Sequence, residues 1–233
     1  MAFAAEVRAA SEDLINTARD KTGEIIPYVL SYANLTPRYV LILFPGGTGI
    51  VNPRMENGKL VYGAKGNFLL RAREFFVDDD FVTVATNSTQ IEERIQAVID
   101  DLTRRFPPAQ IFLVGTSNGT FDTLQLAEYL SDKIAGEIHT SSLQRIAALD
   151  AKNYKNRHLI VHHRHDGCHR TSFGAAAAAH SRYGTDLIAM DGGISVGDPC
   201  EAFAYHGYNG IEKETVDAIK KWIKQGPESP HKG

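Results

Sequence analysis

Several features are scarce in this 233-residue chain, and each scarcity closes off a class of protein. No apolar run approaches 18 residues, which excludes a membrane-spanning helix. Neither charge is in excess. With 25 Lys+Arg against 28 Asp+Glu the net charge is −3, so neither a nucleic acid nor an anionic membrane surface is expected as a partner. There is no internal repeat and no low-complexity segment beyond Ala175 to Ala179. Neither the G-x-G-x-x-G spacing nor a Lys-Ser/Thr pair follows the glycine-rich segment after Phe44, which weakens a phosphate-binding reading of it. Cysteine is reduced to Cys168 and Cys200, the minimum for one disulfide.

What is present is ordinary for a globular chain with a real core: 43% hydrophobic and 23% charged residues. The length suits one α/β domain or two small ones. No composition break marks a linker, so residues 1–233 are read as a single domain with a core over about 25–224 and a disordered tail from Gly226 to Gly233.

Apolar strands alternate with amphipathic helices along the chain. Residues 5–19 are expected to be helical. Ile25 to Ala33 and Tyr39 to Phe44 read as strands, and the second is apolar throughout, as a parallel strand buried on both faces should be. A polar excursion over Asn52 to Gly66 carries a hairpin signal at Asn57-Gly58. Asn67 caps a helix to about Phe76, and Phe81 to Ala85 is a strand. Thr89-x-x-Glu92 reads as a capping box opening a helix with Ile95, Val98, Ile99 and Leu102 on one face. Further strands are expected at Ile111 to Val114, Gly136 to Thr140, His158 to His163 and Thr185 to Met190, with helix or loop over Ser142 to Ala151. The last helices run from Thr171 to Arg182 and from Ile211 to Lys224. Such alternation implies a parallel sheet covered on both faces.

The richest stretch is Ile111-Phe112-Leu113-Val114-Gly115-Thr116-Ser117-Asn118-Gly119-Thr120. A buried strand runs into Gly-x-Ser-x-Gly, and an amphipathic helix follows. Glycines two positions to either side let the flanking backbone pass close, so the serine Oγ stands exposed on a sharp turn. The new helix aims its free N–H groups at the same spot. This stretch resembles the nucleophile elbow of the α/β-hydrolase superfamily, and the resemblance extends over roughly Ile25 to Lys224, with no large inserted lid domain.

A serine hydroxyl needs a base, and the base needs a group to orient it. The resemblance implies the chain order nucleophile, acid, base. Asp166, three residues past the strand ending at His163, fits the acid; Asp191, which also ends a strand, is the competing candidate, and a helix cap near Thr171 is the plain structural role for Asp166. His206, in Ala204-Tyr205-His206-Gly207, fits the base. Pro45-Gly46-Gly47-Thr48-Gly49 resembles the family's His-Gly-Gly-Gly loop with Pro45 in place of the histidine. It nominates Gly47 first, and Thr48 second, as backbone partner to Asn118 in an oxyanion hole. His162, His163, His165, Asp166, Cys168 and His169 invite a metal reading, but neighbouring strand positions His162 and His163 point to opposite faces and Arg164 repels a cation. No metal and no cofactor are therefore expected.

A Cys168–Cys200 bridge would tie the acid loop to the base loop and close a loop of about 30 residues, stabilising by roughly 3–4 kcal/mol; two reduced thiols are the alternative. The start Ala2-Phe3-Ala4-Ala5-Glu6 is A-x-A-like, which together with a disulfide fits a periplasmic or secreted protein; an ordinary Ala-rich helix start in a cytoplasmic protein is the other reading. The expected activity is that of a serine hydrolase, a carboxylesterase forming an acyl-enzyme on a small-molecule ester. An acyltransferase or peptidase with the same triad, or a non-catalytic binding protein of the same fold, are the alternatives. Substrate identity and oligomeric state are not legible. Asn52 to Gly66 and Gly192 to Tyr205 are expected to line the pocket.

Overall fold

The computed structural model describes residues 12–226. The Ala2–Glu6 start and residues 227–233 of the expected disordered tail lie outside the described residues. In chain order the elements are strands β1 (Glu12–Arg19), β2 (Ile25–Tyr32) and β3 (Tyr39–Phe44), the hairpin β4 (Arg54–Glu56) and β5 (Lys59–Val61), and helices α1 (Phe68–Arg71) and α2 (Arg73–Phe76). Then follow β6 (Phe81–Ala85), α3 (Glu92–Arg105), β7 (Gln110–Thr116), α4 (Gly119–Leu130), β8 (Gly136–Thr140), β9 (Arg157–His163), α5 (Phe173–Tyr183), β10 (Asp186–Met190) and α6 (Glu212–Gln225).

Eight strands form one sheet in the order β1-β2-β6-β3-β7-β8-β9-β10, parallel from β6 to β10 and antiparallel at the β1–β2 and β2–β6 pairs. Alternation along β3 shows how both faces are covered. Leu41 and Leu43 join the core beneath α1, α2 and α6, whereas Val40, Ile42 and Phe44 join the core beneath α3 and α4. All six β3 residues are buried, which explains why this strand carries no polar face. Each helix docks through the stripe its period creates: Ile95, Val98, Ile99 and Leu102 on α3, and Val216, Ile219, Trp222 and Ile223 on α6. Burying one such side chain stabilises by roughly 1.5–3 kcal/mol.

From β3 the chain moves outward to β6, and from β6 it returns across to β7 on the other side of β3. The strand order therefore reverses beside β3. A crevice opens there at the carboxyl ends of β3 and β7, because their outgoing connections leave toward opposite faces. The glycine-rich loop after Phe44 and the Ser117 turn both sit at this point.

Three local expectations are corrected. Residues 12–19 form a strand, not a helix, pairing in antiparallel register with β2 from Glu12↔Tyr32 to Arg19↔Ile25. The open edge of β2 supplies a full ladder of hydrogen-bonding groups, and that tertiary gain overrides a moderate helical periodicity. The capping box does not form. Thr89 Oγ1 accepts from Ile91 N at 3.0 Å in a local turn, and the helix starts at Glu92 without a side-chain cap. The helix after Asn67 is broken at Ala72, which has φ −91° and ψ −1°, into α1 and α2, although Asn67 caps α1 as expected by accepting from Leu69 N. The Asn57-Gly58 turn forms as the dipeptide predicts, with φ of 50° and 73°.

Candidate active site

Ser117 ends the β7-to-α4 turn in the left-handed region, at φ 51°. A non-glycine residue in that region is strained, so surrounding contacts must hold it there. They are visible at the glycines. A Cβ on Gly119 would lie 2.3 Å from Phe44 O, and one on Gly115 would lie 2.7 Å from Thr123 Cγ2 and 2.9 Å from Gly119 O. The motif's glycines thus allow α4 to start against the end of β3. Thr120 N and Thr120 Oγ1 both donate to Ser117 O, at 2.9 and 2.6 Å, and fix the turn from below.

The loop after β3 closes over the turn. A Cβ on Gly46 would come within 2.8 Å of Ser117 Cβ, and Asn118 Nδ2 donates to Gly47 O at 2.9 Å. Ser88 Oγ donates to Pro45 O at 2.9 Å and braces the same loop from the β6 side. The backbone N–H groups of Gly47, Thr48 and Asn118 have no hydrogen-bond partner among the described residues. All three residues line one cavity of about 530 Å³ together with Ser117 and His206.

His206 and Asp166 meet directly: Nδ1 lies 3.0 Å from Oδ2, with the His206 side chain 7% exposed and that of Asp166 0% exposed. Asp166 Oδ2 is a shared acceptor. Thr171 Oγ1 donates to it at 2.8 Å and His162 Nε2 at 3.1 Å, while Cys168 N donates to Oδ1 at 3.0 Å. Burial alone would favour the neutral acid, but the hydrogen bonds from His162, His206 and Cys168 outweigh it and hold the carboxyl well below the usual range. Asp191 sits elsewhere. It is 64% exposed, 3.5 Å from His165 Nε2, and accepts from Gly192 N. The α5 cap is Ser172, whose side chain accepts from Ala175 N, so Asp166 is free of that role.

His162 and Thr171 as partners of Asp166 were not read from the sequence. The only signal was spacing: on β9, His162 points to the side opposite His163, toward the residue four positions on. His163 instead stacks on Tyr205 at 4.5 Å and lies 2.9 Å from Gly192 O. The two neighbours therefore belong to different surroundings, as strand alternation requires.

The loop carrying His206 is pinned on several sides. Ser141 Oγ donates to His206 O at 2.6 Å, and Arg71 Nη2 donates to Gly207 O at 2.5 Å and to Glu212 Oε1 at 2.9 Å. Tyr208 Oη donates to Val161 O at 2.8 Å. Cys168 and Cys200 are disulfide-bonded across a sequence separation of 32, joining the Asp166 loop to the His206 loop. The double replacement of Cys168 and Cys200 by alanine is expected to cost about 3–4 kcal/mol of unfolding free energy in chemical denaturation. The wild-type chain, denatured without reductant, should titrate no free thiol. Of the two segments expected to line the pocket, the Asn52–Gly66 excursion contributes only Ala64 and Gly66, and the later loop contributes Cys200 to Phe203; Arg170 completes the rim.

No known family model matches the chain, and no curated protein matches it in sequence. Solved structures do match in shape. An esterase domain from Rhodothermus marinus superposes with TM-score 0.62 at 12% identity, covering 92% of this chain and 99% of that one. Est1E from Butyrivibrio proteoclasticus gives 0.60 at 16%, covering 91% and 98%. A serine hydrolase without a lid from Xanthomonas campestris gives 0.57 at 13%, covering 94% and 97%. With its mostly parallel eight-stranded sheet, helices on both faces and no lid domain among the described residues, the chain has the α/β-hydrolase fold.

Proposed function

We propose that the protein is a serine hydrolase, a carboxylesterase acting on small-molecule esters. The observation that carries this reading is the His206–Asp166 hydrogen bond, made at the edge of the cavity into which the strained Ser117 turn opens. Ser117 attacks the acyl carbonyl, and His206 Nε2 takes its proton. Asp166 holds the imidazole with Nδ1 protonated and stabilises the imidazolium that forms. Asn118 N–H and a second N–H from Gly47 or Thr48 receive the developing oxyanion, in a place where the α4 N-terminus adds favourable potential. His206 then protonates the departing alcohol, and water, activated by the same base, releases the acid and regenerates Ser117. None of these steps calls for a metal or cofactor. The esterase neighbours support the ester substrate class, and the disulfide supports an exported location.

A fluorophosphonate probe tests the reading. The expected result is one adduct per chain, located on Ser117 by peptide mass spectrometry, together with turnover of short p-nitrophenyl esters. A chain that neither labels nor turns over any ester in a series of increasing acyl length would overturn it. The loop geometry adds a sharper expectation. Gly46→Ala forces a Cβ to within 2.8 Å of Ser117 Cβ and 2.9 Å of Thr116 O, so loop and turn must part. Displacements of this order cost about 100-fold in kcat, which steady-state kinetics on the same ester would measure.

A further inference from the structure

On the neighbouring strands β8 and β9, a second group of ligating side chains is buried with no part in the chemistry above. Glu137 and His139 are two apart on β8 and so share a face, and His158 on β9 is the direct register partner of Glu137. Their exposures are 0%, 0% and 2%. One ligand atom from each lies within 4.8 Å of the others.

The partners around the two imidazoles can accept from both outer ring nitrogens. Thr123 Oγ1 lies 3.2 Å from Thr120 O and 2.9 Å from His139 Nδ1; with its proton turned to Thr120 O it accepts from Nδ1. Asn156 Oδ1 lies 3.0 Å from His158 Nε2 and is likewise an acceptor, while Asn156 Nδ2 faces Glu137 Oε1 at 3.5 Å. In that arrangement both outer ring nitrogens carry hydrogen. Both inner nitrogens, His139 Nε2 and His158 Nδ1, then present bare lone pairs to each other at 3.2 Å. Without a cation, Thr123 Oγ1 donates to His139 Nδ1 and His139 Nε2–H donates to His158 Nδ1; with one, both inner lone pairs turn to it. The third group is a carboxyl whose Oε2 is buried and has no hydrogen-bond partner among the described residues.

We propose that Glu137, His139 and His158 bind one divalent transition-metal ion, zinc by ligand chemistry, as a structural centre between β8 and β9. Two imidazole nitrogens on one tetrahedral zinc, each about 2.0–2.1 Å from it, stand about 3.3–3.4 Å apart, close to the separation seen. The outer nitrogens donate to Thr123 and Asn156 in the way metal-bound histidines are held by their surroundings. A movement of the Glu137 carboxylate toward the two nitrogens completes three protein ligands, and water takes the fourth position. An entry path exists: Asn156 and His158 line a second cavity of about 800 Å³ at the amino ends of β9 and β10. Neutral imidazoles and a carboxylate suit zinc better than magnesium or calcium. The histidine-rich run over 162–169 plays no part, since Cys168 and Cys200 are disulfide-bonded and His162 and His163 face apart.

The test uses untagged full-length protein stripped with dipicolinate, titrated with zinc chloride, then desalted. The expected result is one zinc retained per chain by elemental analysis, with a Tm rise of about 5–10 °C at a hundredfold excess over Kd. Glu137→Gln and His158→Gln should each weaken binding at least ~100-fold, whereas a His165→Ala/His169→Ala control should bind as wild type does. X-ray absorption of the zinc-loaded wild type should show nitrogen and oxygen ligands including two imidazoles, an outcome that does not depend on the variants folding. Absence of retained zinc and of any Tm change overturns the proposal. So does retention that survives Glu137→Gln and His158→Gln but is lost in the surface control, or an absorption spectrum without imidazole ligands.

Discussion

Replacing Ser117 by alanine is expected to lower kcat/KM toward a p-nitrophenyl ester by about 10⁵–10⁶-fold and to abolish fluorophosphonate labelling, with the fold unchanged. The size follows from what remains. Without Oγ no acyl-enzyme forms, and what is left is the background that an oxyanion hole and substrate binding give to direct attack by water. The fold should tolerate the change because serine and alanine suffer the same steric penalty at φ 51°. Glycine does not, so Ser117→Gly should be equally inactive but more stable than Ser117→Ala, by roughly 1 kcal/mol. Calorimetry of the two variants beside their kinetics separates loss of the nucleophile from loss of structure. Alanine-variant turnover within tenfold of wild type would remove Ser117 from the mechanism.

The second large effect is at Asp166. Asp166→Asn is expected to lower kcat by about 10⁴-fold with little change in KM. In the wild type, His162 Nε2, Thr171 Oγ1 and His206 Nδ1 all face Oδ2, and Cys168 N faces Oδ1. An amide has one acceptor. If its NH2 takes the Oδ2 place, His206 Nδ1 must become an acceptor and Nε2 a donor, unable to receive the Ser117 proton. If its oxygen takes that place, the NH2 clashes with Cys168 N–H. The pH dependence distinguishes this from general damage. Asp166 has its folded pKa lowered from 3.8, so its ionisation contributes stability that is present above that value and lost as pH falls below it. Wild-type Tm should therefore drop on acidification below about pH 4, and the asparagine variant should lack that component. In the neutral range Asp166 stays charged. Equal acid sensitivity of the two proteins would place the stabilising charge elsewhere.

Much of this was legible in one dimension because it rests on local rules. The apolar run of β3 and the 3.6-residue stripes of α3 and α6 follow from which faces must be dry. Asn57-Gly58 follows from the positive φ its turn requires. The glycines around Ser117 are needed where α4 starts against Phe44 O. What was misread shared a different property. Glu12–Arg19 is a strand because β2 offers an open edge, a fact about its neighbour. Thr89 turns back on Ile91 N rather than capping α3. Ala72 interrupts a helix that a pattern of apolar positions would let run on.

The same division holds at the candidate site. The sequence by itself determined the kinds of groups and their order: a glycine-flanked serine after a buried strand, carboxylates and a histidine after later strands, and two cysteines beside them. Covalent connectivity and side-chain periodicity suffice for that. Only the tertiary structure decided which carboxylate meets His206, because Asp166 and Asp191 end adjacent parallel strands and differ only in where their loops turn. Asp166 turns inward onto His162, Thr171 and His206, held by the Cys168–Cys200 bridge; Asp191 turns out to solvent beside His165. Likewise Glu137, His139 and His158 become one cluster only through the β8–β9 register, which no spacing along the chain encodes. Contacts between distant segments depend on how strands order and pair, and that is settled by the packing of the whole sheet.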